Sequence, residues 1–206
     1  MFIYIGGVPG VGKTTILTNM ERLAADRGLK LERVVGTKIL CELTGAKTVE
    51  ELRVLPEEIR AKHRQRLNEI LYERDREDFD TVRIADGHFC YFDTAGEKYG
   101  IRQIYPWDRK QTYAMGVITA QTSTILERRL ADREARTDRQ LSPGFIEMEQ
   151  FLELGIAFYQ ANELSIPINI FRNEKGTSID KISGEILGYV NDVISNRSKS
   201  IGNYRS

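Results

Sequence analysis

Two cysteines, two histidines, five prolines and one tryptophan are all that the 206 residues contain of these types. Each scarcity excludes something. Cys41 and Cys90 lie far apart and match no metal-ligand spacing. They argue against a disulfide framework or a thiolate metal centre, and read as reduced, buried thiols of a cytoplasmic protein. No apolar run approaches the roughly 20 residues that cross a bilayer, so no membrane association is expected. The run Met1-Phe2-Ile3-Tyr4-Ile5 has no basic leader and no cleavage site, and reads as a buried strand rather than a signal peptide. Charge of one sign is missing too: Lys plus Arg number 30, and Asp plus Glu number 30. That balance argues against a dedicated nucleic-acid binder, whose footprint is a basic excess. Internal repeats and a convincing domain boundary are absent, and the length suits one α/β domain with a well-buried core.

What is present alternates. Apolar runs at Phe2 to Ile5, Leu31 to Val35, Thr81 to Ala85, Ala114 to Thr119 and Pro167 to Phe171 read as strands. Helical periods fall between them, over Lys13 to Arg27, from Gly36-Thr37 onward, through 48–78, over Thr122 to Asp132, Pro143 to Glu163 and Ser178 to Ile194. Pro56 suits a first-turn position. Residues 87–113 read as loop, aromatic and charged, with Trp107 as an anchor, and 195–206 as a polar tail. Arg83 interrupts a strand that a parallel sheet would keep apolar. Strand–helix alternation implies right-handed βαβ units and a mostly parallel sheet. The expected fold is therefore α/β, a three-layer α/β/α sandwich with a mostly parallel five-stranded sheet.

Gly7-Val8-Pro9-Gly10-Val11-Gly12-Lys13-Thr14 matches G-x-x-x-x-G-K-[ST] in full, with Thr15 following. Glycines let the backbone curl so that successive N–H groups face phosphate oxygens, and the helix opening near Lys13 aims its positive end at the same anion. Lys13 would reach the β- and γ-phosphates of ATP, and the Thr14 hydroxyl would ligate Mg²⁺. The apolar strand before the loop and the amphipathic helix after it supply the required context.

A carboxylate at a strand end should complete the Mg²⁺ site, and there are two candidates. Asp86 ends the strand Thr81 to Ala85 and precedes Gly87-His88. Asp93 opens Asp93-Thr94-Ala95-Gly96, which looks like the D-x-x-G switch of small GTPases. The guanine-recognition signature of those proteins is missing, so Asp86 is preferred. Arg128, Arg129, Arg133, Arg136 and Arg139 crowd one segment with interleaved acids. Arg129, Arg133 and Arg136 share a helical face at i, i+4 and i+7. Composition alone favours a solvated, ion-paired helix. Position after the fourth strand favours a lid whose arginines stabilise phosphoryl charge and exclude water.

In this order the motifs resemble the archaeal-type adenylate kinases, a branch of the nucleoside monophosphate kinases. The resemblance runs from Ile3 to about Ile194 and rests on the phosphate loop at 7 to 15, Gly36-Thr37, Leu52-Arg53-Val54-Leu55-Pro56, Asp86-Gly87-His88, Arg128 to Arg139, and Phe171-Arg172-Asn173. It implies ATP and Mg²⁺ as cofactors and small-molecule nucleotide substrates. Thr37, Arg53 and His88 would serve the acceptor, from a helical segment over about 37–78. Arg129, Arg133, Arg136 and Arg139 would act from a short arginine-rich lid over about 132–143, and Asn173 would lie near the donor base. Several members of that family assemble as trimers, so a homo-oligomer is implied. Two alternatives stay open: another small-molecule kinase on the same scaffold, and a nucleotide-dependent switch acting on an RNA–protein assembly.

Overall fold

The computed structural model describes residues 1–78, 80–92, 99–134 and 139–203. The switch-like Asp93 to Gly96 and the lid residue Arg136 lie outside them.

Five strands form one sheet in the order β2-β3-β1-β6-β7. They are β1 (Phe2–Gly6), β2 (Leu31–Val35), β3 (Val82–Asp86), β6 (Thr112–Thr119) and β7 (Ile168–Arg172), each within two residues of its expected bounds. Every pairing is parallel: Val35 lies opposite Asp86, Ile5 opposite Asp86 from the other side, and Gly6 opposite Val117. The carboxyl ends of β1, β2 and β3 therefore share one rim of the sheet. In open α/β sheets that rim is where ligands bind.

Side chains alternate between two faces. Ile3, Ile5, Val82, Ile84, Ala114 and Ile118 face one way and pack with Ile16, Leu17 and Met20 of α1 (Lys13–Asp26) and Ile182, Ile186, Leu187 and Val190 of α8 (Ile179–Asn203). Phe2 and Val34 face the other way, onto Leu67 and Leu71 of α4 (Glu57–Glu77). Met115 and Val117, on that same second face, meet Ala157 and Ala161 of α7 (Pro143–Leu164). The result is a three-layer α/β/α sandwich.

Three differences from the sequence reading have local causes. The region 48–78 is two helices, α3 (Val49–Val54) and α4, because Leu55 takes the extended conformation (ψ 145°) and Pro56 becomes the cap before α4. A residue ahead of proline is excluded from the α region by the ring. The region 87–113 contains an antiparallel hairpin, β4 (Cys90–Phe92) with β5 (Tyr99–Ile101), and a one-turn helix, α5 (Asp108–Gln111). Its strands are too short to show a period. They are held by Phe92 against Phe145 at 5.0 Å and by Tyr91 lying across Gly100, where a side chain would collide with its ring. The helical backbone of α8 runs on to Asn203, past the start of the expected polar tail.

Arg83, unexpected inside a parallel strand, is only 3% exposed and fully engaged. Its Nε donates to Glu32 at 3.0 Å and its Nη1 to Asp75 at 3.1 Å and the Asp78 carbonyl at 2.8 Å. Asp75 also receives the Met1 amino group. A buried charge with this many partners avoids most of the desolvation cost of an unpaired one. Trp107 anchors its loop, meeting Phe2 edge-on at 5.8 Å.

Candidate active site

The phosphate-binding loop joins β1 to α1. Gly7, Gly10 and Gly12 have φ of 149°, 92° and 88°. At Gly12 there is a second demand, since a Cβ would stand 2.6 Å from Nδ2 of Asn173. Both explain why the motif's glycines admit no side chain. Gly12 caps α1, no side chain occupies the cap, and the first turn holds no acid. The leading N–H groups and the positive end of the helix dipole are thus directed at the rim. Thr14 and Thr15 present exposed side chains in that first turn.

Lys13 is 9% exposed. Its Nζ donates to the Gly87 carbonyl and lies 3.2 Å from Oδ1 of Asp86. Burial lowers the Lys13 pKa, and Asp86 opposes that shift. The other carboxylate oxygen of Asp86 accepts from Arg33, at 2.9 Å to Nε and also from Nη2. Arg33 is held in turn by Thr18 on α1 at 3.1 Å. One carboxylate sits between two cations, and both cations stand at the mouth of the loop where an anion would bind.

These residues fit ATP·Mg²⁺. The curled backbone and the helix end suit phosphate, and the Thr14 hydroxyl and the Asp86 carboxylate are hard oxygen donors of the kind Mg²⁺ takes. Among the described residues no group of three or more His, Cys, Asp or Glu could hold a metal alone.

His88 follows directly. The Tyr4 hydroxyl donates to its carbonyl at 3.0 Å, and the Arg102 guanidinium stacks 4.4 Å above the Tyr4 ring. The His88 imidazole is pushed well below its usual pKa, first by burial and then by Lys13 and Arg53. It is therefore neutral near pH 7, and its Nδ1 is buried with no hydrogen-bond partner. Thr37 is the second residue of α2 (Gly36–Thr44), just past β2, and Arg53 lies in the last turn of α3; both are exposed. The structure thus brings Lys13, Asp86 and His88 together, with Arg53 in electrostatic range of His88 and Thr14 next to Lys13 in the first turn of α1.

The arginine segment divides. Arg129, expected with the lid, lies on α6 (Thr122–Ala131) and is 1% exposed. Its Nε and Nη2 donate to the Pro9 carbonyl at 3.0 and 2.8 Å, its Nη1 to the Gln140 carbonyl at 2.8 Å, and Nη2 also meets Glu149 at 2.7 Å. It is a strut under the phosphate loop rather than a mobile lid group, because its neighbours on α6 turn that face inward. Arg133 is exposed, and Arg139 meets Asp132 at 3.1 Å. Arg128, given no separate role by the sequence, donates to the Val11 carbonyl at 3.1 Å and the Asn173 carbonyl at 3.2 Å. Asn173 itself, 2% exposed, donates to the Val11 carbonyl at 2.6 Å, so it braces the loop from the side where the donor base was expected.

Sequence reasoning also passed over Arg33, Glu149 and Glu153. The last two were legible as acids four apart on a stripe of α7 otherwise formed by Ile146 and Ala157. Arg33 gave no signal, since only the β2–β3 pairing, with Arg33 opposite Ile84, brings it within reach of Asp86.

The chain belongs to the AAA domain family, whose sequence profile matches residues 6–143. No curated protein matches the sequence. Among solved structures it resembles shikimate kinase from Bacteroides thetaiotaomicron at 18% identity and a TM-score of 0.56, covering 93% of this chain and 98% of that one. Shikimate kinase from Acinetobacter baumannii in complex with shikimate gives 17% identity, a TM-score of 0.54 and 93% of each chain. A gluconokinase from Sinorhizobium meliloti gives 13% identity, a TM-score of 0.51 and 96% and 95% of the two chains. At these identities the likeness shows the fold alone, an α/β P-loop NTPase fold.

Proposed function

We propose that this protein is a kinase that moves the terminal phosphate of ATP onto a small acceptor bound beside the β3 exit, with a nucleoside monophosphate, AMP first, as that acceptor. The observation that carries the reading is the cationic rim: Lys13 and Arg33 on either side of Asp86 at the mouth of the phosphate loop. The structural likeness to small-molecule kinases over more than nine-tenths of the chain supports the reaction class.

The phosphate loop's N–H groups would bind the donor phosphates. Lys13 would leave the Gly87 carbonyl to follow the migrating group, while Arg33 keeps Asp86 paired. Thr14 and (by way of water) Asp86 would hold Mg²⁺, which would supply neutralisation of phosphate charge. Arg53 would hold the anionic part of the acceptor. A phosphate oxygen is already ionised near neutrality, so in-line attack needs no general base. Arg133, Arg136 and Arg139 would close over the site and exclude water.

A second reading is favoured by His88. A neutral imidazole with an unpartnered buried Nδ1 suits an acceptor hydroxyl, which must lose a proton during transfer. That would place the protein with kinases of small hydroxy acids. The test is ADP formation from ATP·Mg²⁺ with AMP, CMP, UMP, GMP, dTMP, shikimate or gluconate against a water control. Stimulation by a monophosphate supports the first reading, and stimulation by a hydroxy acid alone supports the second. Hydrolysis that no acceptor stimulates would replace both with a nucleotide-dependent switch.

A further inference from the structure

Among the buried charges that the phosphotransfer reading leaves unused, one lies against the phosphate-binding loop itself. Glu153, on α7, is 1% exposed. Its Oε1 accepts the Gly7 N–H at 2.7 Å, and its Oε2 accepts the Phe89 N–H at 2.9 Å and the Cys90 N–H at 2.7 Å. We infer that Glu153 is a positioning residue that ties the phosphate-binding loop to the turn leaving β3, and so fixes the gap between the donor and acceptor halves of the site.

The chemistry selects a carboxylate here. Three N–H donors from two separate loops converge on one side chain. A glutamine offers one acceptor oxygen, and its NH₂ would face a donor. Burying a carboxylate costs several kcal/mol before its partners are counted, so its presence needs a compensating set of donors, and these backbone groups supply it. Burial raises the Glu153 carboxyl pKa, and the N–H donors of Cys90, Phe89 and Gly7, together with Lys13, oppose that. Space is reserved as well: at Gly6 a Cβ would stand 2.8 Å from Oε1 and overlap the Phe89 ring.

The two loops so joined hold the two halves of the Lys13 environment. Lys13 follows the phosphate loop, and its rest partners, Asp86 and the Gly87 carbonyl, belong to the β3 exit. Donor phosphates are fixed by the first loop and the acceptor by the second. A displacement of about 1 Å between reacting groups costs on the order of 100-fold in rate. One carboxylate thus references both substrates to the same point on α7.

The kinetic consequence rests on the phosphotransfer reading, but the tie does not, and the experiment separates them. Amide exchange is measured on the whole protein with and without ATP·Mg²⁺, for the wild type, Glu153→Gln and Glu153→Asp. In the wild type, nucleotide binding at the phosphate loop is expected to slow exchange at Phe89 and Cys90 by about 10-fold, reporting their coupling. In Glu153→Gln that slowing should fall below about 2-fold while protection of residues 7–15 persists. Where an acceptor is turned over, kcat should fall at least about 10-fold with the ATP KM changed less than about 3-fold. Glu153→Asp keeps the charge but is one methylene shorter, so it should fold and still lose the coupling if Glu153→Gln does not fold. Unchanged coupling in whichever variant folds would overturn the proposal, as would a lowered Tm with coupling and kcat both intact. A wild type that turns over no acceptor yet shows the coupling would sink the kinase reading and leave the tie standing.

Discussion

Replacing Arg129 with methionine separates a strut from a lid group. The substitution removes two hydrogen bonds to the Pro9 carbonyl, one to Gln140 and the ion pair to Glu149, all from a side chain 1% exposed. Methionine fills most of the aliphatic volume, so cavity formation contributes little. The dominant loss is Glu149 left without its cation, and breaking a buried pair from one side costs about 3–5 kcal/mol. For a domain of this size that corresponds to a Tm lower by roughly 6–20 °C. The pH dependence follows in sign. Burial already raises the Glu149 carboxyl pKa, with Arg129 opposing it. Without Arg129 the rise grows, and the folded state then takes up protons above the pH at which the unfolded chain does. Its deficit against wild type should therefore shrink as pH falls through the interval between those two values. Thermal melts at several pH values measure this, with Glu149→Gln in the same chain expected to recover much of the loss. A variant as stable as wild type but deficient in turnover would refute the strut and restore the lid assignment.

Two other substitutions probe the rim. Lys13→Ala should abolish phosphoryl transfer while costing less than about 2 kcal/mol, because Asp86 keeps its Arg33 partner. Transfer retained in that variant would remove Lys13 from the chemistry. Gly87→Ala should destabilise by about 1–3 kcal/mol, since its Cβ would meet Cζ of Tyr4 at 2.7 Å and collide with the hydroxyl. A melt unchanged from wild type would show that the Tyr4 ring yields freely, and that the bond to the His88 carbonyl does not fix the turn.

The five strands of the sheet and the phosphate-loop motif could be read from the sequence alone. Five apolar runs separated by helical periods suffice for a parallel sheet, because βαβ handedness leaves few topologies. The phosphate loop is equally legible, since Gly7 to Thr14 are contiguous and their chemistry depends on local backbone curl. Pro56 announced a helix boundary and was displaced only by one position. The hairpin at 90–101 was not legible, since three-residue strands have no period and rest on Phe145 from a distant helix.

What only tertiary structure decided is which charges share a space. Arg33 and Asp86 are 53 positions apart and meet because β2 and β3 pair with Val35 opposite Asp86. Arg129 and Arg128 are adjacent in sequence, yet one points under the loop and the other to its flank, a difference of about 100° around α6. Glu153 stands out as an acid on the buried stripe of α7, but its partners appear only when α7 is laid over the sheet, 146 positions from the Gly7 amide it receives. Local propensity acts over a few residues. The desolvation of a charge and the convergence of its partners are settled only when distant segments pack.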